Sequence, residues 1–254
     1  MVTIGKSETI DLYIGNEKIT SVKIEEDDLK TNGLTLKDSQ SKKYYMKKCC
    51  DNFIGHIEYN NCSIPEFDLW FSEDKRLDNI SEVKVDHKEY KYSKETEKIV
   101  IILESPHKDE YKVLLPDPLP AIGGTGRKLH SFFPEVFLKS GLDNLIGFEK
   151  AKYEVILMNI IQYQCSLGAS TKLYRDRVFK ELWKNKFVYD SFENRLKQYN
   201  PRIIMNLSTD IGKIEAKKAL ENINKNELGS ILIEGPHPSS WNIPRLKIVE
   251  MNNP

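Results

Sequence analysis

Four short apolar runs in the second half of the chain constrain its fold more than any other feature. They read KIVIIL (98–103), YEVILMN (153–159), PRIIMNL (201–207) and GSILIEG (229–235). Each run has the length of a buried strand and is rich in Ile, Val and Leu without polar alternation, as parallel strands covered on both faces require. The sequence therefore predicts four buried parallel strands.

The segments between these runs carry helical signals. We expect one helix over 126–139, two helices within 174–199, and another over 209–222, with Ser208 or Thr209 placed to cap it. Strands that alternate with helices predict an α/β fold with a doubly wound parallel sheet. In such sheets, ligands bind beyond the carboxyl ends of the strands.

The chain has a different pattern before residue 95. Short segments of alternating apolar and polar residues predict half-buried antiparallel strands, and Asn16 lies where a hairpin turn is expected between the first two. We therefore divide the chain into a β-rich N-terminal extension of unknown role (1–95) and an α/β domain (96–254). The alternating segments are TIDLYIG, KITSVKIE, FDLWF, EVKVDH and EYKYS, and the polar stretch 27–48 is expected to be loop with some helix.

Charge and composition limit the choice of partners. The 38 Lys and Arg residues balance the 38 Asp and Glu residues, so the chain has no general affinity for polyanions and a DNA partner would need local basic charge. No apolar run of about 18 residues and no N-terminal leader is visible, which predicts a cytoplasmic protein that does not bind membrane. We expect no metal and no cofactor, although Cys49, Cys50, His56 and Cys62 include metal-ligand types.

Polar and titratable residues collect at the ends of all four predicted strands. Because the carboxyl ends of parallel strands meet at one edge of the sheet, we expect these residues to converge on one site. The four clusters are ESPH (104–107), Asn159 followed by QYQ (162–164), NLST (206–209) and GPHPSSW (235–241).

A glycine-rich segment, GGTGRK (123–128), precedes the first predicted helix. Glycines there let the backbone approach a ligand, and the free N–H groups of a helix N-terminus favour an anion. The segment is not a Walker loop because the required spacing to a Lys is absent. A glycine turn without a ligand is an equally good interpretation.

Two of these clusters resemble the uracil-DNA glycosylase superfamily. Leu103-Glu104-Ser105-Pro106-His107 resembles the first-strand motifs Gly-Gln-Asp-Pro-Tyr-His and Gly-Glu-Ala-Pro-Gly of members, and 237–240 (HPSS) resembles their last-strand His-Pro-Ser. The match runs in order over roughly 98–245. For 96–254 it implies a three-layer α/β/α sandwich around a four-stranded parallel sheet.

The resemblance implies a DNA glycosylase that flips a base into a pocket, hydrolyses its N-glycosidic bond and leaves an abasic site. Glu104 would stabilise the sugar cation and orient water, and His237 would donate a hydrogen bond to the departing base. Trp241 or a neighbour would fill the hole left in the duplex. The implied base-binding residues are Phe132, Phe133, Asn159 and His107, and the implied DNA- and phosphate-binding residues are Gly124, Gly126, Arg127, Ser239, Ser240 and Trp241.

Departures from the family motifs alter the expected substrate. Some members have a catalytic Asp where this chain has Ser105, so the branch with Glu at the position of Glu104 is the closer mechanistic match. Those with Tyr at the position of His107 use that ring to exclude thymine. The pocket is therefore expected to admit a damaged or modified base, either uracil or a modified pyrimidine. Such an enzyme would serve DNA repair or defence against phages with modified DNA. The iron–sulfur cysteine pattern of one branch is missing, and no cluster is expected.

Other interpretations stay open. The same fold could serve an inactive DNA-binding or interaction module, or a nucleotide or nucleoside hydrolase. Glu104 could pair with Arg127 or another cation, His237 could be a structural loop residue, and Trp241 could only close the domain. Of the two adjacent phenylalanines, at least one is expected in the core. A basic set, equally compatible with a DNA-facing patch or a solvated helix face, comprises Lys172, Arg175, Arg177, Lys180, Lys184 and Lys186.

Overall fold

Strands and helices alternate along the second half of the chain. The computed structural model describes residues 7–25, 43–59, 65–71, 96–111, 118–139, 141, 152–166, 172–241 and 247–248. Its strands are β1 (Ser7–Ile14), β2 (Glu17–Glu25), β3 (Lys43–Tyr45), β4 (Asn52–Glu58), β5 (Glu66–Leu69), β6 (Glu97–Leu103), β7 (Lys152–Asn159), β8 (Ile203–Asn206), β9 (Ile231–Glu234) and β10 (Lys247–Ile248). Its helices are α1 (Gly124–Lys139), α2 (Lys172–Trp183), α3 (Lys186–Tyr199) and α4 (Asp210–Ile223).

The four apolar runs form the four parallel strands at the centre of the larger sheet, which confirms that prediction. The parallel strands lie side by side in the order β9-β8-β6-β7. The chain leaves β6 for β7 on one side and then crosses to β8 on the other side. The strand order therefore reverses between β6 and β8, which is the position where sheets of this class bind ligands.

The larger sheet has more strands than the four predicted. Among the described residues it has seven, because β4 and β5 extend it beyond β7, and β10 extends it beyond β9, all in antiparallel pairs. The expectation of a four-stranded sheet is corrected to a mixed sheet with a parallel centre. Since β4 and β5 precede residue 95, this sheet crosses the predicted division of the chain.

Helices cover both faces of the larger sheet. In β6, Ile99 and Ile101 belong to a core with α1, whereas Val100 and Ile102 belong to a core on the other face with α2, α3 and α4. All four side chains are fully buried. A strand buried on both faces has no polar side to present, which is why its sequence lacks alternation.

The three-stranded sheet confirms the predicted N-terminal hairpin. β1 and β2 pair in antiparallel fashion across Gly15 and Asn16, and β3 adds a parallel strand beside β1. Apolar side chains of this sheet, among them Leu12 and Val22, belong to the core that also contains residues of α2, α3 and α4. The predicted strands EVKVDH and EYKYS, and most of 27–48, lie outside the described residues.

The predicted helices are present with small shifts in their ends. α2 and α3 are two separate helices, and Asn185 caps α3 by accepting the backbone N–H of Phe187 at 2.9 Å. Thr209 occupies the N-cap position of α4, but its hydroxyl makes no capping hydrogen bond. In the described part of the chain, no helix has both the length and the apolar character needed to cross a membrane. A cytoplasmic location stays a prediction.

No disulfide joins the cysteines that the structure describes. Cys49 and Cys165 are buried and Cys50 is half-buried. No group of three His, Cys, Asp or Glu side chains that could hold a metal ion occurs among the residues with described positions. Cys62 lies outside them.

Candidate active site

A cavity of about 860 Å³ lies at the carboxyl ends of β6, β8 and β9, beside the point where the strand order reverses. This volume is in the range of sites that hold a nucleoside-sized ligand. Both Glu104 and His237 line it, although 132 residues of chain separate them. The cavity also receives the N-terminal ends of α1 and α4 and the segment that follows β7.

Glu104 follows β6 directly, and its side chain is only 3% exposed. Its Oε1 lies 3.0 Å from Nε of Arg175, yet neither carboxylate oxygen has a well-aligned hydrogen bond within the described part of the chain. Burial raises the pKa of Glu104 to about 7, because a buried carboxylate loses its hydration, and the charge of Arg175 offsets only part of this effect. Glu104 therefore has both protonation states accessible near neutral pH.

His237 lies in the loop after β9 and carries a neutral ring. Its Nδ1 accepts the backbone N–H of Ser239 at 3.3 Å and lies 2.8 Å from that residue's Oγ. Burial lowers the pKa of His237 to about 4, with further lowering by the charges of Arg175 and Lys213. Because Nδ1 acts as an acceptor, we assign the ring proton to Nε2, which is then free to donate to a ligand.

Hydrogen bonds within the same loop hold His237 in place. Ser240 Oγ donates to the carbonyl of His237 at 2.7 Å, and the indole N–H of Trp241 donates to the carbonyl of Pro236 at 2.9 Å. The backbone N–H of Trp241 also donates to Pro238 at 3.0 Å. A ring presented by such a loop is preorganised, since it needs little rearrangement to meet a ligand.

Two helix N-termini supply backbone N–H groups to the cavity. Gly124 and Thr125 begin α1, and Asp210 and Ile211 begin α4, and all four residues line the cavity. The positive ends of both helix dipoles favour an anion there. Three cationic residues line the cavity, namely Arg127, Arg175 and Lys213, and four acidic residues line it as well, namely Glu104, Glu110, Asp176 and Asp210. Its hydroxyl residues include Ser239 and Ser240.

The predicted site residues that line the cavity are Glu104, His107, Gly124, Arg127, His237, Ser239 and Ser240. The predicted residues outside its lining are Gly126, Phe132, Phe133, Asn159 and Trp241. The interpretation in which Glu104 pairs with Arg127 or another cation agrees with the structure in its second form, because the observed partner is Arg175.

Phe133 and Trp241 need correction as ligand-contacting residues. Phe133 is fully buried and Trp241 is 1% exposed, and both belong to the core between α1 and the sheet. Phe132 is half-buried, with Nζ of Lys128 5.1 Å from its ring centre. In this structure Trp241 closes the domain and is not available as a wedge, and no phenylalanine of the pair faces the cavity.

Gly126 is a packing glycine outside the cavity lining, and its predicted contact with phosphate stays a prediction. A Cβ on this residue would overlap the carbonyl oxygen of Ala121 and would approach that of Phe71. Gly126 therefore lets α1 lie against neighbouring backbone. By contrast, a Cβ on Gly124 would meet only the guanidinium of Arg127, at 4.0 Å.

Asn159 ends β7 beside the cavity without lining it. Its side chain is buried, and its Nδ2 has no hydrogen-bond partner among the residues the structure describes. Its carbonyl accepts from Arg195 at 3.0 Å, and Arg195 also pairs with Asp51 at 2.7 Å. The next residues hold Glu104, because the N–H of Ile161 donates to the Glu104 carbonyl at 3.1 Å.

Several cavity residues were not singled out as site residues by the sequence. Lys213 lies in the first turn of α4, shortly after the third strand end, and this position in the sequence could have identified it as a site residue. Ser166 has a buried hydroxyl with no hydrogen-bond partner in the described segments, and no pattern marked it. Arg175 belonged to the basic set, which does not act as one patch: Arg177 donates to the carbonyl of Lys23, whereas Lys184 pairs with Glu181.

Comparison with known proteins adds no assignment. No protein-family model matches the chain, and no curated protein matches it.

Proposed function

We propose that the protein is a DNA glycosylase that hydrolyses the N-glycosidic bond of a damaged or modified base and leaves an abasic site. One observation carries the proposal: Glu104 and His237 line the same cavity in complementary states. Glu104 is a carboxyl group that ionises near neutral pH, and His237 is a neutral hydrogen-bond donor. Glycosidic bond cleavage needs these two functions on opposite sides of the breaking bond.

The proposed reaction begins when the C1′–N bond breaks and its electron pair leaves with the base. Positive charge then develops on the sugar, and the Glu104 carboxylate stabilises it through space. Negative charge develops on the base, and Nε2–H of His237 donates a hydrogen bond to it. A water molecule adds to C1′, its proton passes to Glu104, and the base takes up a proton from solvent.

The groups around this pair suit a nucleotide. The N-terminus of α1, with Gly124 and Arg127, provides donors for phosphate oxygens. The hydroxyls of Ser239 and Ser240 line the same cavity and hold His237 in place. His107 lines the cavity on the first-strand side and is exposed. In the family that the motif resembles, a Tyr at this position excludes bases with a methyl group at C5, and this chain lacks that Tyr. We therefore propose a base modified at C5, as in DNA repair or in defence against phages with modified DNA.

The test incubates the purified protein with DNAs that contain unmodified, uracil-substituted and C5-modified bases, and detects abasic sites by alkali cleavage. We expect strand breaks with at least one modified DNA. His237→Asn should lower the rate about a hundredfold or more, as loss of a preorganised donor does, and Glu104→Gln should abolish activity.

Matched controls come from α1. Glu135 and His130 are exposed and do not line the cavity, so Glu135→Gln and His130→Asn should keep the wild-type rate. DNA binding without abasic sites on any DNA would point to an inactive binding module and overturn the proposal.

A second candidate is a hydrolase of free nucleotides. The observation in its favour is that Arg127, Arg175 and Lys213 line the cavity itself, while the whole chain has no net charge to attract a polyanion. Release of bases from nucleoside monophosphates, with none from DNA, would identify this activity in the same assay.

A further inference from the structure

The guanidinium of Arg175 is divided between two carboxylates. Its Nε lies 3.0 Å from Oε1 of Glu104, and its Nε and Nη2 donate to Oδ1 of Asp176 at 3.0 and 2.9 Å. We propose that Arg175 is a positioning residue, and that its division between Glu104 and Asp176 sets the protonation of Glu104 on which the reaction depends. The proposal rests on the proposed function, because it concerns the same carboxyl group.

The geometry makes Arg175 the main source of positive charge at Glu104. Within the part of the chain that the structure describes, no second cation lies within 4 Å of the Glu104 carboxylate. The Glu104 side chain is 3% exposed and that of Arg175 is 24% exposed, so solvent screens the pair only weakly. Loss of the Arg175 charge should therefore shift the protonation equilibrium of Glu104.

The two carboxylates receive different interactions from the same guanidinium. Asp176 accepts well-aligned hydrogen bonds from Nε and Nη2 of Arg175, whereas the Glu104 carboxylate lies close to the charged guanidinium without an aligned hydrogen bond. Asp176 is 49% exposed and is therefore solvated in its own right, whereas the Glu104 carboxylate depends on the protein for compensation. Asp176 thus restrains Arg175 and keeps the ionisation of Glu104 incomplete.

Other groups near Glu104 also affect its protonation. Asp210 of α4 adds negative charge, the neighbouring Ser105 hydroxyl favours the carboxylate, and burial favours the protonated acid. The buried Cys165 thiol and the neutral ring of His237 bring no charge near neutral pH. Arg175 and Asp176 are therefore neighbouring opposite charges. Removing one or the other should shift the titration midpoint of Glu104 in opposite directions.

The experiment follows the Glu104 carboxyl directly. The full chain is labelled with ¹³C at Cδ of Glu, titrated by NMR, and the Glu104 signal is assigned by its loss in Glu104→Gln. Arg175→Met should move the titration midpoint of Glu104 upward by about 1–3 pH units, as loss of a close opposite charge does. Asp176→Asn should move it downward, because it removes a negative charge and loosens the hold on Arg175.

Arg177→Met is the matched control, since it removes the same charge from the same helix at a residue that contacts Lys23 instead of the cavity. It should leave the Glu104 midpoint unchanged. Arg175→Lys keeps the charge and should leave the midpoint closer to wild type than Arg175→Met does. If Arg175→Met does not fold, the shifts in Asp176→Asn and Arg175→Lys decide the question.

The pH dependence of base release provides the second readout. Where a DNA substrate is cleaved, the acidic limb of the rate profile should move upward in Arg175→Met and downward in Asp176→Asn. A Glu104 midpoint that stays in place in Arg175→Met, or that moves the same way in both variants, overturns the inference. Opposite shifts without cleavage of any DNA support charge control of Glu104 and reject the glycosylase.

Discussion

Burial acts on Glu104 and His237 in opposite senses, because it disfavours the charged form of each group. It raises the pKa of the carboxyl group to about 7 and lowers that of the imidazole to about 4. Between these values both groups are mainly neutral, and as pH rises through about 7 the carboxyl group ionises while the imidazole stays neutral. Opposite shifts of two groups in one cavity are typical of acid–base sites.

The state of His237 gives the first prediction. At pH 7 we expect a neutral ring with the proton on Nε2, because Nδ1 accepts from Ser239 and burial disfavours the imidazolium. Long-range ¹H–¹⁵N NMR spectra of the ring should show this tautomer down to about pH 5. A protonated ring at pH 6.5 would contradict it.

The second prediction concerns stability. The folded pKa of Glu104 lies above the unfolded value of 4.5, so the folded state binds more protons and stability falls as pH rises from about 4.5 to 7. Above pH 7 the buried carboxylate costs roughly 2–4 kcal/mol. Glu104→Gln removes this cost, and its melting temperature should exceed that of wild type at pH 8 but not at pH 4.5.

Glu135→Gln provides the comparison for this measurement. Glu135 is exposed on α1 and pairs with Lys139, so the substitution should give no stability gain that grows with pH. Equal melting temperatures of Glu104→Gln and wild type at pH 8 would show that the Glu104 carboxylate is not destabilising.

At the scale of elements, α1 is positioned by a close approach of backbone to backbone. The helix begins at Gly124, and the third residue, Gly126, lies against the carbonyl oxygen of Ala121. Behind this contact, Leu129 and Phe133 bury the inner face of the helix against the sheet. The contact therefore sets where the N-terminus of α1 meets the cavity.

Gly126→Ala should disturb this contact and lower stability by about 1–3 kcal/mol, the usual cost of forcing an extra methyl group into a packed site. Chemical denaturation measures the loss. Gly124→Ala is the matched control, because its Cβ would meet only the flexible end of Arg127 at 4.0 Å, and its stability should be close to wild type. A Gly126→Ala variant as stable as Gly124→Ala would show that the backbone yields there at no cost.

At the scale of the whole molecule, a buried polar cluster ties the segment before β4 to the rest of the sheet. Asp51 pairs with Arg195 at 2.7 Å and accepts from Tyr199 at 2.7 Å and from Gln162 at 3.2 Å. Both charged side chains are almost fully buried. Removing one partner of such a pair leaves an uncompensated buried charge, so the cluster makes the two parts of the chain interdependent.

This interdependence predicts that residues 96–254 do not form a stable domain alone. The truncated chain lacks Asp51, and it lacks the apolar side chains of β4, including Ile54 and Ile57, which fill the core beside β7. We expect little near-UV circular dichroism and no cooperative thermal transition. A truncated chain that unfolds as cooperatively as the full chain would show that the N-terminal strands are dispensable.

The features of this fold that could be predicted are those that depend on short stretches of sequence. The four parallel strands follow from apolar runs, and the helices follow from the segments between them, because each pattern records the environment of consecutive residues. The mixed edge of the sheet was not predictable in this way. β4 pairs with β7 over a long chain separation, and FDLWF joins that sheet instead of the N-terminal one.

The candidate site also has features that the sequence predicts and features that it does not. The chain order and strand-end positions of Glu104 and His237 are properties of the sequence, and they sufficed to place both residues at one edge of the sheet. The burial of Trp241 and Phe133, the packing role of Gly126 and the pairing of Arg175 with Glu104 depend on which surfaces meet across distant segments.

By itself, the sequence determined the alternation of buried strands and helices and the edge of the sheet at which polar side chains collect, since both depend on short-range patterns. Only the tertiary structure decided which of those side chains face the cavity and in which protonation state. Burial and the distance between charges act through space, and neither can be read from neighbours along the chain.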